Sequence, residues 1–418
     1  MERRYVPTRL APVRRLLAGS LLLTALVAAG CGGSGSHATK TLTIVVDAPF
    51  ARSSYLGEGI AHAVQLALQG RTPLSVGSGS YTFRVQKLDN GQSPATAVSD
   101  VRQAVSEHAI AIVTDGTGVN ATWQIANRAH IPICIVFDGD ASLVDPATRP
   151  NVFRIAPTNH GVAFRLAEYL IPKGLKVAFL TDDTGYGRGG RAELDKAFSE
   201  NASSVAARIE IPSTATDLAP QVLQARHSGA SALLVWAQPA AIGEVVIAAR
   251  SSGWKVPIYA SPAAEDPIVR QELADHPSWL DGLTFASGRM TAEVGAGPFL
   301  AFQRAYNAAF GPQRVGVKGP NGKPVLAPPD YAMYPYDFVN LLAAAVNAAQ
   351  STDGAKVVPA LNQVSVQGAN GDERGFSQND HDGVVDDDVY FARFEHMVYV
   401  PVKDDPLSRT LPAIDQEG

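Results

Sequence analysis

Short apolar runs alternate with segments of helical period along most of the chain. Several of the runs are apolar throughout, which is typical of strands that are covered on both faces of a sheet. Strands are predicted at 41–46, 82–87, 109–114, 133–137, 176–181, 205–211, 232–237, 257–260 and 282–286. Helices are predicted near 56–69, 93–107, 119–129, 160–173, 188–200, 216–228, 239–252, 296–310 and 336–349. Strands separated by helices of about 10 to 15 residues indicate βαβ units and parallel sheets, and therefore an α/β fold.

Two regions interrupt this alternation. Residues 312–330 are rich in proline and glycine and predict a loop insertion. Residues 350–388 are polar and glycine-rich, and a predicted strand pair at 389–394 and 396–402 follows them. Their acidic run 379–388 lacks the spacing of an EF-hand loop, so it predicts a solvated turn, with a calcium site as the alternative. A chain of 418 residues exceeds a single core, which predicts two domains.

The amino terminus has the pattern of a secretory signal. Five arginines precede an uncharged stretch at 16–29, which is too short for a membrane span of about 20 residues. The sequence Ala28-Ala29-Gly30-Cys31 resembles the bacterial lipobox, and glycines and serines follow it. This resemblance implies a lipoprotein signal peptide at 1–30, lipidation of Cys31, and a flexible tether within 31–40. An ordinary signal peptide with a nearby cysteine is the alternative.

Composition narrows the class of partner. The net charge is −5, and the basic residues of the signal leave the rest of the chain more acidic still. An acidic protein lacks the basic face that nucleic-acid binding requires. No apolar run after Cys31 reaches a transmembrane length, so we expect lipid alone to hold the protein at the extracytoplasmic face of the membrane. Cys134 lies in an apolar run and is predicted to be a buried structural thiol.

Several separated segments together resemble the periplasmic solute-binding proteins of the leucine/isoleucine/valine type. The likeness covers about 41–400, and it depends on the order and spacing of the segments. They are 41–69 with Tyr55, Asn151-Val152-Phe153-Arg154 with Ala156-Pro157, Asp182-Asp183-Thr184-Gly185-Tyr186-Gly187-Arg188-Gly189, Ala248-Ala249-Arg250 with Gly253, and Tyr336-Asp337.

The resemblance implies two Rossmann-like lobes with parallel sheets flanked by helices, three hinge crossings, and a ligand cleft between the lobes. Parallel α/β sheets also bind ligands beyond the carboxyl ends of their strands, whatever the family. The implied crossings lie near 157–160, 284–290 and 364–374. The implied first lobe is 41–158 plus 288–366, and the second is 159–287 plus 367–418.

The ligand positions of that family map onto residues of both lobes. In the first lobe they are Tyr55, Thr117, Gly118, Asn120, Asp138 and Asp140; in the second they are Tyr186, Trp236, Gln238 and Glu265. Asp138 and Asp140 stand where the family has neutral residues, and they would repel a ligand carboxylate. The family's acidic residue that binds the α-ammonium group of an amino acid corresponds to Pro262 here, and Glu265 is close by in the sequence. We therefore expect an amino acid, an amide or a related polar solute, including a neutral or cationic molecule stacked on the aromatic residues.

Structural roles compete with these assignments. Asp138 and Asp140 also suit an Asx turn or a cap for a helix near 141–144. Asp182 and Asp183 suit the cap of the following helix, and His160 suits a hinge or a helix start. Trp236 ends a buried strand and suits core packing.

The function implied is that of a monomeric substrate-binding lipoprotein of an ABC importer, with a membrane permease as its partner. A lipoprotein that senses ligand for a membrane receptor is the alternative, since one fold serves both. A hydrolase with paired aspartates is disfavoured, because HExxH, GxSxG, P-loop and zinc-binding spacings do not occur. We expect neither enzymatic activity, nor a cofactor, nor a metal.

Overall fold

The computed structural model describes residues 39–71, 74–287, 297–385 and 389–410. The predicted signal peptide, Cys31, most of the tether and the end of the second crossing lie outside these ranges. No helix within the ranges is long and apolar enough to cross a membrane.

The first sheet is built in the described chain from six strands: β1 (Lys40–Ala48), β2 (Leu74–Val76), β3 (Gly79–Asp89), β4 (Ala111–Thr114), β5 (Ile133–Ile135) and β6 (Val152–Arg154). Their order is β2-β3-β1-β4-β5-β6, and every pair except β2–β3 is parallel. β4 and β5 are buried along their whole length, as apolar strands covered on both faces must be. Cys134 is fully buried in β5, as predicted.

Three helices connect the first strands: α1 (Ser54–Leu68), α2 (Pro94–Ser106) and α3 (Val119–Arg128). Successive residues of β4 point to opposite faces, so Ile112 packs in the cluster that includes α2 and α3, while Val113 packs in the cluster that includes α1. The first lobe is therefore a sheet between two hydrophobic layers.

The chain leaves β6 and enters the second lobe through a helix in which His160 is the second residue. Alternating elements follow: α4 (Asn159–Leu170), β7 (Val177–Asp182), α5 (Gly185–Ala197), β8 (Val205–Ile211), α6 (Ala219–His227), β9 (Ala232–Trp236), α7 (Pro239–Ser251), β10 (Ile258–Ala260), α8 (Pro267–Glu272) and β11 (Thr284–Ser287). The predicted strands and helices of this region are confirmed.

The region predicted as a loop insertion is a β-hairpin. After α9 (Gly297–Phe310), which packs on the first lobe, β12 (Gln313–Lys318) pairs antiparallel with β13 (Pro324–Ala327). Val315 and Val325 are fully buried in the core of the second lobe. The alternation of buried valines with exposed residues in β12 is the strand signal, and the glycine within β12 and the prolines around it obscure this signal in the sequence.

The chain then returns to the first lobe and stays there longer than predicted. The elements of this return are α10 (Met333–Ala349), α11 (Gly354–Leu361), β14 (Ser365–Gln367) and β15 (Glu373–Gly375). β14 and β15 form a hairpin, and Phe376 and Val384 still pack in the core of the first lobe. The passage to the second sheet follows Val384, beyond the crossing expected at 364–374. The residue limits of the two lobes stay a prediction.

The predicted strand pair near the carboxyl end is confirmed as β16 (Tyr390–Glu395) and β17 (Val398–Pro401). It completes the second sheet, whose order is β17-β16-β11-β10-β9-β7-β8. β7 to β11 pair in parallel, and β16 runs antiparallel to β11 at the edge of that parallel group.

A partly buried ion pair joins the last strand of the first sheet to the turn before β16. Arg154 donates from Nε to Asp382 Oδ1 at 2.5 Å and from Nη2 to Asp382 Oδ2 at 2.9 Å. His381 is buried and stacks on Phe153 with ring centroids 4.2 Å apart. The expectation of a solvated turn is therefore wrong for these two residues, because their partners lie on β6, far away in sequence.

Candidate functional site

A row of five aromatic rings runs from one lobe to the other. Tyr55 of α1 meets Tyr331 with ring centroids 6.1 Å apart, and Tyr331 meets Phe137, beyond the end of β5, at 5.1 Å. Phe137 stacks on Tyr186 of α5 at 5.9 Å, and Tyr186 contacts Trp236 at 5.9 Å. Phe137 belongs to the first lobe and Tyr186 to the second, so their contact closes the cleft.

A cavity lies along this row. Residues of both lobes line it: Val136, Phe137, Ala156, Pro157, Asn159, Val162, Tyr186, Trp236, Pro262, Glu265, Asp330, Tyr331 and Tyr334. The open volume is about 20 Å³, which holds about one water molecule. A ligand of ordinary size therefore requires the lobes to move apart at this point.

Glycines let α5 approach β7 and β9 closely. A Cβ on Gly187 would lie 2.2 Å from the carbonyl oxygen of Asp182, and a Cβ on Gly190 would lie 2.3 Å from the ring of Trp236. Thr184 caps α5, since its side chain accepts from Gly187 N at 3.1 Å. The predicted cap by Asp182 or Asp183 is wrong: Asp182 instead accepts from Thr184 N at 3.1 Å and from Gln238 N at 2.6 Å, which fixes the loop after β9.

Two buried hydrogen-bond donors that line the cavity have no partner among the residues that the structure describes. They are Trp236 Nε1 and Asn159 Nδ2, on residues that are 0% and 3% exposed. Asn159 is the first residue of α4, and its backbone N–H donates to Gly139 O at 2.8 Å. The packing of Trp236 in the core agrees with the structural role expected for it, but its indole N–H is left unsatisfied.

The loop after β5 is held by its own carboxylates. Asp138 Oδ1 accepts from Asp140 N at 3.0 Å, and Asp140 Oδ1 accepts from Ser142 N at 2.7 Å, where it caps a 3₁₀ turn at Ala141–Leu143. Arg154 Nη1 donates to Asp140 O at 2.8 Å. Both aspartates thus take the structural roles weighed for them, and their contact with ligand stays a prediction.

The carboxyl edge of the first sheet is acidic and buried. Burial, aided by Asp140 and Asp115, raises the pKa of Asp138 to about 6. Burial likewise raises the pKa of Asp115, although hydrogen bonds from Thr117 and Asn90 oppose the rise. Asp47 at the end of β1 is buried beside Asp115, and its pKa is raised well above the usual range. A ligand carboxylate would find little attraction at this edge.

None of the six predicted first-lobe residues lines the cavity, and three of them lie in or next to α3. Thr117 turns toward its own loop and donates from Oγ1 to Asp115 Oδ2 at 2.7 Å. Gly118 has a φ of 73° and starts α3, and Asn120 is exposed on that helix. Gln238, in the second lobe, begins α7 and accepts from Gln92 Nε2 of the first lobe at 3.5 Å.

Other hydrogen bonds also join the lobes. Ser53 Oγ donates to Asp266 Oδ2 at 2.8 Å in a buried contact, and Tyr331 donates from its hydroxyl to Pro262 O at 2.5 Å. The Tyr55 hydroxyl donates to Pro328 O at 2.8 Å, next to the hairpin that packs on the second lobe. The lobes are therefore closed on each other.

The cavity brings together only part of the predicted set. Tyr186, Trp236 and Glu265 line it, and Tyr55 joins the aromatic row. Sequence reasoning missed Phe137, Asn159, Asp330, Tyr331 and Tyr334. Phe137 and Asn159 carried a signal, since one ends a predicted strand and the other lies in a predicted crossing, whereas the remaining three approach the cleft from distant sequence.

Among the described residues, no group of three or more His, Cys, Asp or Glu side chains is arranged to hold a metal ion. Chemically, the arrangement offers aromatic faces, two unpaired N–H donors and carboxylates on a pair of closing walls. This is the lining of a binding cleft for a small organic molecule.

Known proteins share this architecture. A periplasmic binding protein of type 1 from Bordetella pertussis Tohama I has 21% identity and a TM-score of 0.75, covering 90% of this chain and 100% of that one. LivJ from Streptococcus pneumoniae, a branched-chain amino acid transporter substrate-binding protein in complex with isoleucine, has 19% identity and a TM-score of 0.71, over 86% and 98% of the two chains. An ABC transporter solute-binding protein from R. palustris in complex with 4-hydroxybenzoate has 15% identity and a TM-score of 0.70, over 91% and 98%.

No curated protein matches the chain. The family model for periplasmic binding proteins matches residues 49–397, which is most of the described structure. The type I fold expected from the sequence is confirmed by the two sheet-based lobes and by these structures. The chain belongs to the periplasmic binding protein family.

Proposed function

We propose that this protein is the solute-binding lipoprotein of an ABC importer, and that it captures a small polar organic solute by hinged closure of its two lobes. The observation that carries the proposal is the cavity between the lobes, which takes aromatic and polar residues from both. A site divided in this way is completed only on closure, so that closure and binding are coupled.

The similar structures support the substrate class. Isoleucine and 4-hydroxybenzoate, the molecules in two of them, are both small organic solutes with polar groups. The identities are below 25%, so they leave the ligand of this chain open.

The contacts between the lobes supply the closing force in this proposal. The bonds Ser53–Asp266 and Tyr331–Pro262 form only when the lobes meet. Ligand adds contacts to both walls and shifts the population toward the closed form in proportion to its differential affinity.

A thermal-shift screen of the full chain in detergent tests the proposal. Amino acids, amides and aromatic acids at 100 times their dissociation constant should stabilise the folded state by about 2.7 kcal/mol. Tyr331→Phe removes the hydroxyl that bonds Pro262 and should lower the affinity of a hit by about three- to tenfold. Tyr306→Phe is the matched control, since Tyr306 Oη meets His62 outside the cleft. Equal affinities of the two variants would count against closure by this bond.

The membrane anchor is tested separately. Cells fed a labelled fatty acid should label the wild-type protein and Cys134→Ser, but not Cys31→Ser. Cys31→Ser should also leave the membrane fraction, because no other lipid-bearing cysteine is expected. Label on Cys31→Ser would contradict the lipoprotein assignment.

A further inference from the structure

The two unpartnered donors in the cleft require an explanation. A buried indole N–H usually finds an acceptor, and an unsatisfied buried donor costs about 1–3 kcal/mol. Trp236 Nε1 and Asn159 Nδ2 both lack one, although each lines the cavity. Two unsatisfied buried donors in one cavity, each with a cost of this size, are typical of groups that form hydrogen bonds with a ligand.

Both donors lie against two consecutive glycines of α5, Gly189 and Gly190. A Cβ on Gly189 would be 3.1 Å from Asn159 Nδ2, and a Cβ on Gly190 would be 2.3 Å from Trp236 Nε1. Gly189 and Gly190 are consecutive residues of α5, so both donors border the region beside the same helical turn. Asp140 Oδ2 lies 3.0 Å from the same position on Gly189 and offers an acceptor beside the donors. Side chains at 189 and 190 would fill this region.

The aromatic rings next to the donors favour a thin, planar ligand. The rings of Phe137 and Tyr186 are 5.9 Å apart with an angle of 29° between their planes. A flat ring inserted between them needs about 7 Å, which is two stacking contacts of about 3.5 Å. The two rings must therefore move apart to admit a planar molecule, which then stacks on both of them, whereas a branched aliphatic group needs a wider gap and loses the stacking.

We propose that the ligand is a planar aromatic solute that enters between Phe137 and Tyr186 and presents hydrogen-bond acceptors to Asn159 Nδ2 and Trp236 Nε1. This inference rests on the proposed function and narrows its substrate class. It assigns Phe137 and Asn159 to the site, and it gives Trp236 a role beyond packing.

Matched pairs of probes test the class directly. Benzamide is compared with cyclohexanecarboxamide, 4-hydroxybenzoate with 4-hydroxycyclohexanecarboxylate, and phenylalanine with isoleucine, each by calorimetry on the full chain. At least one aromatic member should bind, and it should bind about tenfold or more tightly than its saturated partner, because stacking on two rings is lost in the partner. Saturated members that bind as well as aromatic ones, or better, would overturn the aromatic class and leave solute binding intact. Absence of binding by every aromatic member would also overturn the aromatic class, whereas solute binding itself is tested by the thermal-shift screen.

Conservative variants then test the two donors with the tightest aromatic probe. Trp236→Phe keeps a ring and removes the N–H, and Asn159→Ala removes the amide; each should lower affinity by about tenfold. Trp254→Phe and Asn201→Ala are the matched controls, since both residues lie outside the cavity lining. Phe137→Leu should lower affinity for the aromatic probe more than for its saturated partner, with Phe164→Leu as the control on the exposed face of α4.

A spectroscopic readout separates direct contact from a fold effect. The chain has four tryptophans, so the indole N–H signals in a ¹⁵N-correlated spectrum are few, and Trp236→Phe identifies one of them. Binding of the probe should move the Trp236 signal more than those of Trp123, Trp254 and Trp279. An unmoved Trp236 signal, or unchanged affinity in both Trp236→Phe and Asn159→Ala, would overturn the donor assignment.

Discussion

The two walls of the cleft are built on different principles. On the first-lobe wall, Asp138 and Asp140 accept hydrogen bonds from their own loop, and Thr117 is turned onto Asp115. On the second-lobe wall, Tyr186 and Trp236 pack over a glycine-rich helix, and the indole N–H of Trp236 is left without a partner. The polar groups of the first wall hold its loop in shape, whereas the second wall has a polar group that the described residues leave unsatisfied.

This difference changes how a polar residue in a binding loop is interpreted. A carboxylate that fixes a loop acts on ligand affinity through the position of its neighbours, such as Phe137. A donor left unsatisfied in a buried wall acts through contact. Variants of the first wall should therefore change stability first, and variants of the second should change binding first.

The largest effect is expected from Asp382→Ala, which removes the ion pair that holds Arg154 and, through it, the first-lobe wall. It would leave the guanidinium of Arg154, only 2% exposed, without its carboxylate, and Arg154 also holds Asp140 O. Removing one partner of a buried pair costs about 3–5 kcal/mol. Asp382 itself is 27% exposed, so urea unfolding should measure a loss near the lower end of this range. Hydrogen exchange should rise at residues 138–141 before it rises at the second wall.

The control for this variant is Asp404→Ala. Asp404 pairs with Lys173 at 2.6 Å, but the two side chains are 54% and 28% exposed, so we expect a loss of less than about 1 kcal/mol. Equal losses in the two variants would mean that the Arg154 pair contributes no more than a surface pair.

The Arg154–Asp382 pair shows what the sequence could not predict about the fold. Long apolar strands such as β9 and long helices such as α10 are evident from local pattern, because burial repeats within them. β6 has three residues, and it is a strand because it pairs with β5, so the sequence suggested only a crossing there. The partner of Asp382 lies on β6, more than two hundred residues earlier, and no local pattern indicates it.

The candidate site divides in the same way. Tyr186 and Trp236 could be predicted from the family resemblance. Tyr186 lies at the start of α5 and Trp236 at the end of β9, at the carboxyl edge of the second sheet, where α/β sheets bind ligands. Tyr331 and Tyr334 could not, since they reach the cleft from the start of α10, after two passages between the lobes. The turn chemistry of Asp138 and Asp140 could be foreseen as an alternative, but the choice depended on Arg154.

The next effect is a pH dependence of the first wall. The pKa of Asp138 is raised to about 6 in the folded protein from 3.8, so its contribution favours folding below about pH 4 and is lost as the pH rises through 6. Asp138→Asn keeps the acceptor for Asp140 N and removes the buried charge. It should equal the wild type in stability near pH 4 and exceed it at pH 7 by up to about 3 kcal/mol.

Urea unfolding at pH 4, 5, 6 and 7 measures this difference. Asp145→Asn is the control: hydrogen bonds from Thr148 lower the pKa of the exposed Asp145 below its usual value, so it titrates below this range and its difference from wild type should stay nearly constant from pH 4 to 7. A constant difference between Asp138→Asn and wild type across this range would exclude Asp138 as a buried titrating group.

A smaller loss of stability, with a larger loss of binding, is expected from Gly190→Ala in the second wall. The new Cβ would meet the buried ring of Trp236 at 2.3 Å, and overpacking of this kind costs about 1–3 kcal/mol. Displacement of the ring should change the tryptophan fluorescence and lower the affinity for ligand. Gly185→Ala, in the same helix with no atom within 4 Å of its Cβ, should do neither. If Gly190→Ala is well folded and binds ligand with full affinity, Gly190 is not part of the binding site.

The smallest effect concerns the contact between the walls. Ser53 caps α1 through Leu56 N at 3.4 Å and also donates across the cleft to Asp266, whereas Ser93 caps α2 through Thr96 N at 3.3 Å and stays within its lobe. Ser93→Ala should therefore cost only the cap, about 1 kcal/mol. Ser53→Ala should cost the cap and about 1 kcal/mol more for the bond between the lobes. Small-angle scattering without ligand should then show a larger radius of gyration for Ser53→Ala alone, because that bond holds the lobes closed. Identical unfolding free energies and radii in the two variants would mean that the aromatic row, and not this hydrogen bond, keeps the two walls together.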